Sequence, residues 1–276
     1  MFQFPLGLHT PVEHSAPLPE RADVVVIGGG VIGVSTALYL RRRGASVVLV
    51  EKGRVAAEQS SRNWGWIRQQ GRDPSELPIM IEARRLWLEL ARESGEDFGL
   101  VQGGVTYLGR NDKDIAEFES WMTFAHRLGV DTRLLDGKET ASLIPGMSKS
   151  FPGALVTPSD MRAEPWLAVP ALARLAAREG VTIVENCAAR ALDVRGGLVA
   201  GLVTEKGRIA ASEVVLAGGA WSSLFLRRHG IALPQLSVLA TVAATEPLPE
   251  LYPGGATDEE VAFRRRLDGG YTLADG

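Results

Sequence analysis

A run at residues 22–27, apolar but for Asp23, leads straight into Gly28-Gly29-Gly30-Val31-Ile32-Gly33, and an amphipathic stretch follows at once. Few chains carry that order without folding it as one βαβ unit. A continuous apolar run suits a strand buried on both faces of a parallel sheet. Residues 31–43 have helical periodicity, and Gly44 supplies the stop. Residues 46–50 read as a second buried strand, which ends in Glu51. Gly28 allows the tight turn, Gly30 lets the backbone approach a pyrophosphate, and Gly33 lets the helix pack on the sheet. Val31 and Ile32 open the helix, where backbone N–H groups and the helix dipole favour an anion. Glu51 lies 18 positions after Gly33. Its carboxylate can accept hydrogen bonds from an adenosine ribose and would repel a 2′-phosphate. Lys52 reads either as a neighbour of the adenosine phosphates or as a solvated charge.

The chain then departs from the pattern of a nicotinamide dehydrogenase, which continues with further βαβ units. Residues 58–72 read as a polar loop with two tryptophans. Helices are predicted at 76–92 and 112–128, with a strand at 101–108 between them. Residues 143–153, broken by Pro145 and Pro152, read as a crossing between domains. A helix is expected at 164–179, with Pro170 kinking it or shifting its start. A strand at 181–184 and a hairpin of 189–194 with 198–204, turning at Gly196-Gly197, come next. Residues 213–217 read as a short buried strand ending in Ala217-Gly218-Gly219, where small residues let a backbone pass close to a cofactor. A helix at 221–229 and strands at 236–245 and 261–267 complete the reading.

Composition narrows the function classes. The 30 basic and 33 acidic residues leave a formal charge of -3, which gives no reason to expect nucleic acid or an anionic membrane as partner. No run of about 18 apolar residues is present, so no membrane span is expected. Cys187 is the single cysteine, so no intrachain disulfide and no cysteine-built metal site is expected, and a reducing, cytoplasmic setting follows. Residues 1–20 lack a cationic start followed by an apolar run, and read as a partly ordered leader rather than a signal peptide.

Three motifs together carry a resemblance. Asp23-Val-Val-Val-Ile-Gly-Gly-Gly-Val-Ile-Gly through Glu51-Lys52, then Ser60-Ser61-Arg62-Asn63, then Val214-Val-Leu-Ala-Gly-Gly-Ala-Trp221 resemble the glycine/D-amino-acid oxidase family of FAD-dependent oxidoreductases. The resemblance runs from about Arg21 to the end. It implies an α/β fold: a three-layer, Rossmann-like FAD domain and a second α+β substrate domain with a mixed sheet. The FAD domain would take residues 21–75 and 151–232, and the substrate domain 76–150 and 233–276. Ala188, Ala217, Gly218, Gly219 and Trp221 would join the first motif around the cofactor. Ser60 and Ser61 would give donors to phosphate oxygens. Gly65 would lie against the flavin ring, Asn63 would reach a ring atom, and Arg62 or Arg68 would place positive charge near the reduced flavin. A surface loop with packed tryptophans remains the other reading of that stretch. No His lies in it, and Cys187 falls on the adenosine side, so FAD would be non-covalent. His126 and His229 read as surface or structural.

Oxidation at an amine carbon needs positioning and an anchor for a substrate carboxylate, usually Arg helped by Tyr. Candidates are Arg68, Arg265 and Tyr271. Arg264 and Arg266 would face away from Arg265 along a strand; a solvated basic edge strand is the alternative for all three. No metal ligand set is expected. The resemblance implies an amine or amino-acid substrate, O2 or a partner redox protein as acceptor, and a hetero- or homo-oligomer. Family members add a final Gly-rich segment beyond this point, so the substrate domain is expected to be incomplete at Gly276. An FAD-binding subunit, or a truncated non-catalytic remnant, is the alternative; an NAD-dependent dehydrogenase is a minor one.

Overall fold

A computed structural model of the chain describes residues 6–275. The chain forms two compact units: Met1–Asn63, Glu93–Asp97 and Pro165–Leu239 make the first, and Trp64–Arg92, Phe98–Glu164 and Ala240–Gly276 the second. Residues 64–75 and 151–164 therefore group with the second unit, not with the segments assigned to an FAD domain above.

In the first unit four strands run parallel, in the order Glu213–Leu216, Val24–Ile27, Val47–Val50, Thr182–Val184. Strand alternation sends Val25, Ile27, Val48, Val50 and Val184 to one face, where they pack with Leu202 and Ile209 of a three-stranded antiparallel sheet. Helices Val31–Arg42 and Pro165–Arg178 contact the parallel strands and each other, which gives three layers. The predicted hairpin is present as Ala189–Arg195 and Leu198–Thr204, with Gly196 and Gly197 both at positive φ, as a two-residue turn demands. Strand Gly207–Ala210 adds to it. Helix Pro165–Arg178 begins at Pro165 and continues through Pro170, so that proline does not shift the start; buried Trp166, Val169, Leu172 and Leu175 anchor it on both sides. Strand Glu213–Leu216 corrects the reading of a short buried strand: it is the sheet's outer strand and is half-buried.

The expected leader lies outside the described residues at positions 1–5. Beyond them it is tied to the first unit. Ser15 bridges to Val184, and the N–H groups of Glu13 and His14 donate to the Glu185 carboxylate at 2.8 and 3.1 Å.

The second unit holds a seven-stranded mixed sheet: Ala243–Ala244, Tyr271–Asp275, Val261–Arg265, Gly255–Thr257, Val105–Gly109, Gly153–Thr157, Arg133–Asp136. Only the Gly255–Thr257 and Val105–Gly109 pair is parallel. Three expectations are corrected. The strand expected at 101–108 starts at Val105, because Gly103 and Gly104 break it; Gly104 has φ +76 and a Cβ at Gly103 would lie 2.7 Å from the Pro253 carbonyl oxygen. Residues 143–153 are no crossing: helix Gly137–Leu143, opened by an Asp136–Glu139 capping box, leads into strand Gly153–Thr157 in the same unit. The chain changes unit at Glu164. Of the strand expected at 236–245 only Ala243–Ala244 pairs, with Thr272 and Leu273. Leu236, Val238 and Leu239 stand exposed, since alternation alone makes no strand without a ladder partner.

Three of the charged side chains buried in this unit form one cluster. Glu164 is fully buried and accepts from Arg162 at 2.8 Å, from Arg264 at 2.9 and 3.1 Å, and from the Leu267 N–H at 2.7 Å. Gly99, at φ +62, leaves the room for Glu164 that a Cβ would fill. Burial holds the Arg162 guanidinium below its ordinary pKa. One carboxylate thus serves two buried cations, and removing it takes the same charged partner from both. Glu164→Ala is expected to lower unfolding free energy by roughly 3–5 kcal/mol, read from the urea midpoint. An unchanged midpoint would show that other groups carry the two arginines.

Candidate functional site

The glycine turn of the first unit is built by close backbone approach. Gly28 has φ +110, and a Cβ there or at Gly33 would collide with a backbone carbonyl, of Ala217 and of Gly28 respectively. Helix Val31–Arg42 has Gly30 as its N-cap and no side-chain cap from within. Its first N–H groups have no intrahelical carbonyl. The Val31 N–H donates to Ser60 Oγ at 2.9 Å, and a Cβ on Gly30 would come within 3.0 Å of the same oxygen. Ser60 itself sits on the short helix Gln59–Arg62. Ile32 is exposed at the helix start.

Glu51 turns into this turn. Its Oε2 accepts from the Gly29 N–H at 2.7 Å and its Oε1 from the Gly53 N–H at 2.8 Å, in a buried position. Each oxygen keeps a lone pair for a further donor. The Glu51 N–H and C=O continue the ladder to Val184 and Cys187, which fixes the side chain's origin. Lys52 is not simply solvated: its ammonium lies 4.1 Å from the Trp221 ring centre and pairs with Glu58. Trp221 closes the turn Gly219–Trp221, and the Gly219 carbonyl accepts from Gln235 at 3.0 Å. Ala217 donates to Ile27, Trp221 to the Gly218 carbonyl, and Ala188 to Glu205 at 3.1 Å.

The rest of the 60–63 segment is used locally. Buried Ser61 sends its hydroxyl toward the Glu58 carbonyl at 3.4 Å. Asn63 Nδ2 donates to the Gln59 carbonyl at 3.1 Å. Arg62 donates to the carbonyls of Ala57, Glu58 and Leu6, so its guanidinium braces its own loop. Glu185 is a residue that sequence reading missed. It ends strand Thr182–Val184 as Glu51 ends its own strand, and its Oε1 accepts from the Val55 N–H at 2.7 Å. That repeat, an acid closing a buried strand, was the available signal.

In the second unit Gly65 has φ +69, and its carbonyl accepts from Ala163 at 2.8 Å. Trp66–Ile67 pairs with Met161–Arg162. Arg68 follows and donates to the Tyr107 hydroxyl and, at 2.8 Å, to the Gln70 carbonyl. Its guanidinium carbon lies 5.9 Å from the Trp66 ring centre and 5.7 Å from that of Tyr107. Tyr107 was missed by sequence reading, since one tyrosine in a strand carries no signal of its own. Arg265 lies 5.0 Å over the Tyr271 ring and donates to the Leu248 carbonyl at 2.7 Å; the Tyr271 hydroxyl accepts from the Leu251 N–H at 3.0 Å. Among the described residues no hydrogen bond joins Arg68 to that pair. Arg264 belongs to Glu164, and Arg266 to Asp268 and the carbonyls of Thr245 and Tyr271. A solvated basic edge is thereby corrected: strand Val261–Arg265 lies between two others, and Arg264 and Arg266 are buried.

Asp160, fully buried, accepts from the N–H groups of Gln69 and Gln70 at 2.8 and 3.1 Å. Burial pushes its carboxyl up to about 6 against these hydrogen bonds. The folded chain then holds a proton that the unfolded chain, with an ordinary carboxyl, has lost. The stability this contributes is full below about pH 4 and is lost as pH rises through about 6. Unfolding free energy should therefore fall from pH 4.5 to pH 7 by more in the native chain than in Asp160→Asn, by roughly 2 kcal/mol. Parallel pH curves for the two proteins would contradict it.

Comparison with known proteins agrees with this geometry. Human mitochondrial sarcosine dehydrogenase is 31% identical over 264 residues, covering 92% of this chain and 29% of that protein. Sarcosine oxidase subunit beta of Arthrobacter sp is 30% identical over 246 residues, covering 86% of this chain and 61% of that one. The structure of L-amino acid deaminase from Proteus myxofaciens, in complex with anthranilate, superposes with a TM-score of 0.91 at 33% identity, covering 95% of this chain and 60% of that one. The chain thus spans under a third to about three fifths of the length of these relatives. The family model described as DAO, FAD dependent oxidoreductase, matches residues 23–276, and the chain belongs to that family.

Proposed function

We propose that this chain binds FAD non-covalently and takes part in oxidising the CH–NH bond of an amino acid or N-substituted amine. The glycine turn and the first turn of helix Val31–Arg42 hold the diphosphate through N–H groups, with Ser60 beside them. Glu51 holds the ribose and excludes a 2′-phosphate. Lys52, Ala188, Ala217, Gly218, Gly219 and Trp221 line the same end of the parallel sheet, and Ser61, Arg62 and Asn63 shape the loop that carries Ser60. FAD, when bound, supplies the hydride acceptor at N5.

The observation that carries the substrate class is Arg68 against Tyr107. A guanidinium beside a phenol is a donor set matched to a carboxylate. Arg265 with Tyr271 is a second pair of the same kind, more deeply engaged with the 248–251 loop. Holding the carboxylate fixes the amine carbon in place, which is most of what this reaction asks of the protein. Gly65, at positive φ, gives a backbone surface without a side chain three residues before Arg68. The electron acceptor is O2 or a partner redox protein, and the setting is cytoplasmic. Among the described residues no helix is long and apolar enough to cross a membrane.

A second reading is an FAD-binding subunit that works with a partner. It is supported by the likeness to sarcosine oxidase subunit beta and by exposed Leu236, Val238 and Leu239. The test is anaerobic mixing of the FAD-loaded chain with N-methyl amino acids and with matched amines lacking the carboxylate. Bleaching by the carboxylate-bearing set, and a half-saturating concentration raised roughly 10–100-fold in Arg68→Met, is the expected result. A coloured protein that no amine bleaches favours the subunit reading, and a colourless one favours a non-catalytic remnant.

A further inference from the structure

We infer that Asp160 is the positioning residue for Arg68: it grips the two main-chain N–H groups that follow Arg68 and so sets where the guanidinium stands. The consequence for substrate rests on the proposed anchor role of Arg68; the geometry itself does not. Asp160 Oδ1 accepts from the Gln69 N–H at 2.8 Å and from Gln69 Nε2 at 3.2 Å, and Oδ2 accepts from the Gln70 N–H at 3.1 Å. Both oxygens thus go to one dipeptide. Asp160 forms no ion pair among the described residues; the charge it feels most directly is that of Arg68, through space. A carboxylate in such a place gives each of two N–H donors its own oxygen, where an amide would turn an NH2 donor toward one of them.

The grip is mounted on a fixed base. Asp160 N–H donates to the Thr157 carbonyl at 3.1 Å, at the end of strand Gly153–Thr157, and its own carbonyl accepts from Gly104 at 3.0 Å. Ser159 before it is held by Asp131 at 2.6 Å and by Arg84 at 2.7 Å. Gln70 is pinned again by its side chain, to the Leu155 carbonyl at 3.1 Å and the Thr157 hydroxyl at 2.8 Å. Its carbonyl is then free to accept Arg68 at 2.8 Å, so the held dipeptide returns a contact to the guanidinium. The opposite wall is set separately. Gly71 has φ +65, and a Cβ there would stand 2.6 Å from the Tyr107 ring. The chain can therefore press on Tyr107 only because residue 71 is glycine. Arg68 is caught between a phenol seated on Gly71 and a backbone seated on Asp160.

Tyr107 reports on Arg68 with neither cofactor nor turnover. Burial pushes its phenol pKa up, Arg68 and Arg72 pull it down, and the Asp160 charge pushes it up. The two roles open to Asp160 therefore have opposite signs. Were Asp160 only a nearby charge, its loss would lower the Tyr107 pKa. Were it the grip, its loss would release Arg68 and raise that pKa by about one unit or more. The experiment is a phenol titration of the full chain labelled with 13Cζ-tyrosine, with the Tyr107 resonance assigned through Tyr107→Phe. Asp160→Asn and Asp160→Ala should raise the Tyr107 pKa as Arg68→Met does, and Arg68→Met added to Asp160→Asn should shift it no further. A fall, or no change, in Asp160→Asn overturns the inference; that isosteric variant stands if Asp160→Ala does not fold. Substrate saturation separates the two proposals. If Arg68→Met leaves the half-saturating concentration unchanged while Asp160→Asn still raises the Tyr107 pKa, the anchor reading fails and the positioning role holds.

Discussion

The hydrogen bond from the Gly29 amide to the Glu51 carboxylate fixes the relation on which the first unit's chemistry depends. It joins the glycine turn that ends one strand to the acid that ends the next. A carboxylate in that place needs donors around it, and the turn supplies them only because Gly28 and Gly33 let backbone meet backbone. The Gly53 amide takes the other oxygen, so the group is held from both sides while keeping lone pairs for further donors. The adjoining helix start has N–H groups without intrahelical acceptors, and the Val31 N–H donates to the Ser60 hydroxyl. The acid's place and the helix end are thus set around one turn that is too tight for a Cβ at Gly28 and Gly33.

The second unit solves a different problem. It carries polar and charged groups inside a mixed sheet, and each must be matched where it lies. Glu164 matches Arg162 and Arg264, Asp160 matches the backbone after Arg68, and Arg266 matches three acceptors around one turn. These contacts contribute less to net stability than their number suggests, because desolvation offsets most of the attraction. What they do is fix side chains in one arrangement, which an apolar interior would not require. Among these groups Arg68 is set against Tyr107, and Arg265 against Tyr271.

The βαβ unit was legible because its signals are local: an unbroken apolar run, three spaced glycines, helical periodicity and a closing acid. The hairpin at Gly196-Gly197 was legible for the same reason. The seven-stranded sheet was not, because its strands are short and find partners far away in sequence, as Val105 does at Gly255. Gly103 and Gly104 shortened one predicted strand, and residues 236–242 kept the alternation of a strand without a partner to pair with. Within the candidate site, glycine and acid positions followed from the motif. The fates of the arginines did not. Arg264 is committed to an acid 100 residues earlier, Arg62 to its own loop, and Arg68 to a tyrosine on another strand. Long side chains take their roles from tertiary neighbours, and no spacing rule along the chain names those neighbours.

The most direct measurement is the thermal midpoint of the purified chain, freed of cofactor, against increasing FAD, ADP and NADP. Binding to the folded chain alone raises the midpoint in proportion to the logarithm of ligand over its dissociation constant. If Glu51 faces a ribose beside the glycine turn, FAD and ADP raise the midpoint and the 2′-phosphorylated NADP does not. Equal stabilisation by NADP, or none by FAD, would contradict the account of that turn.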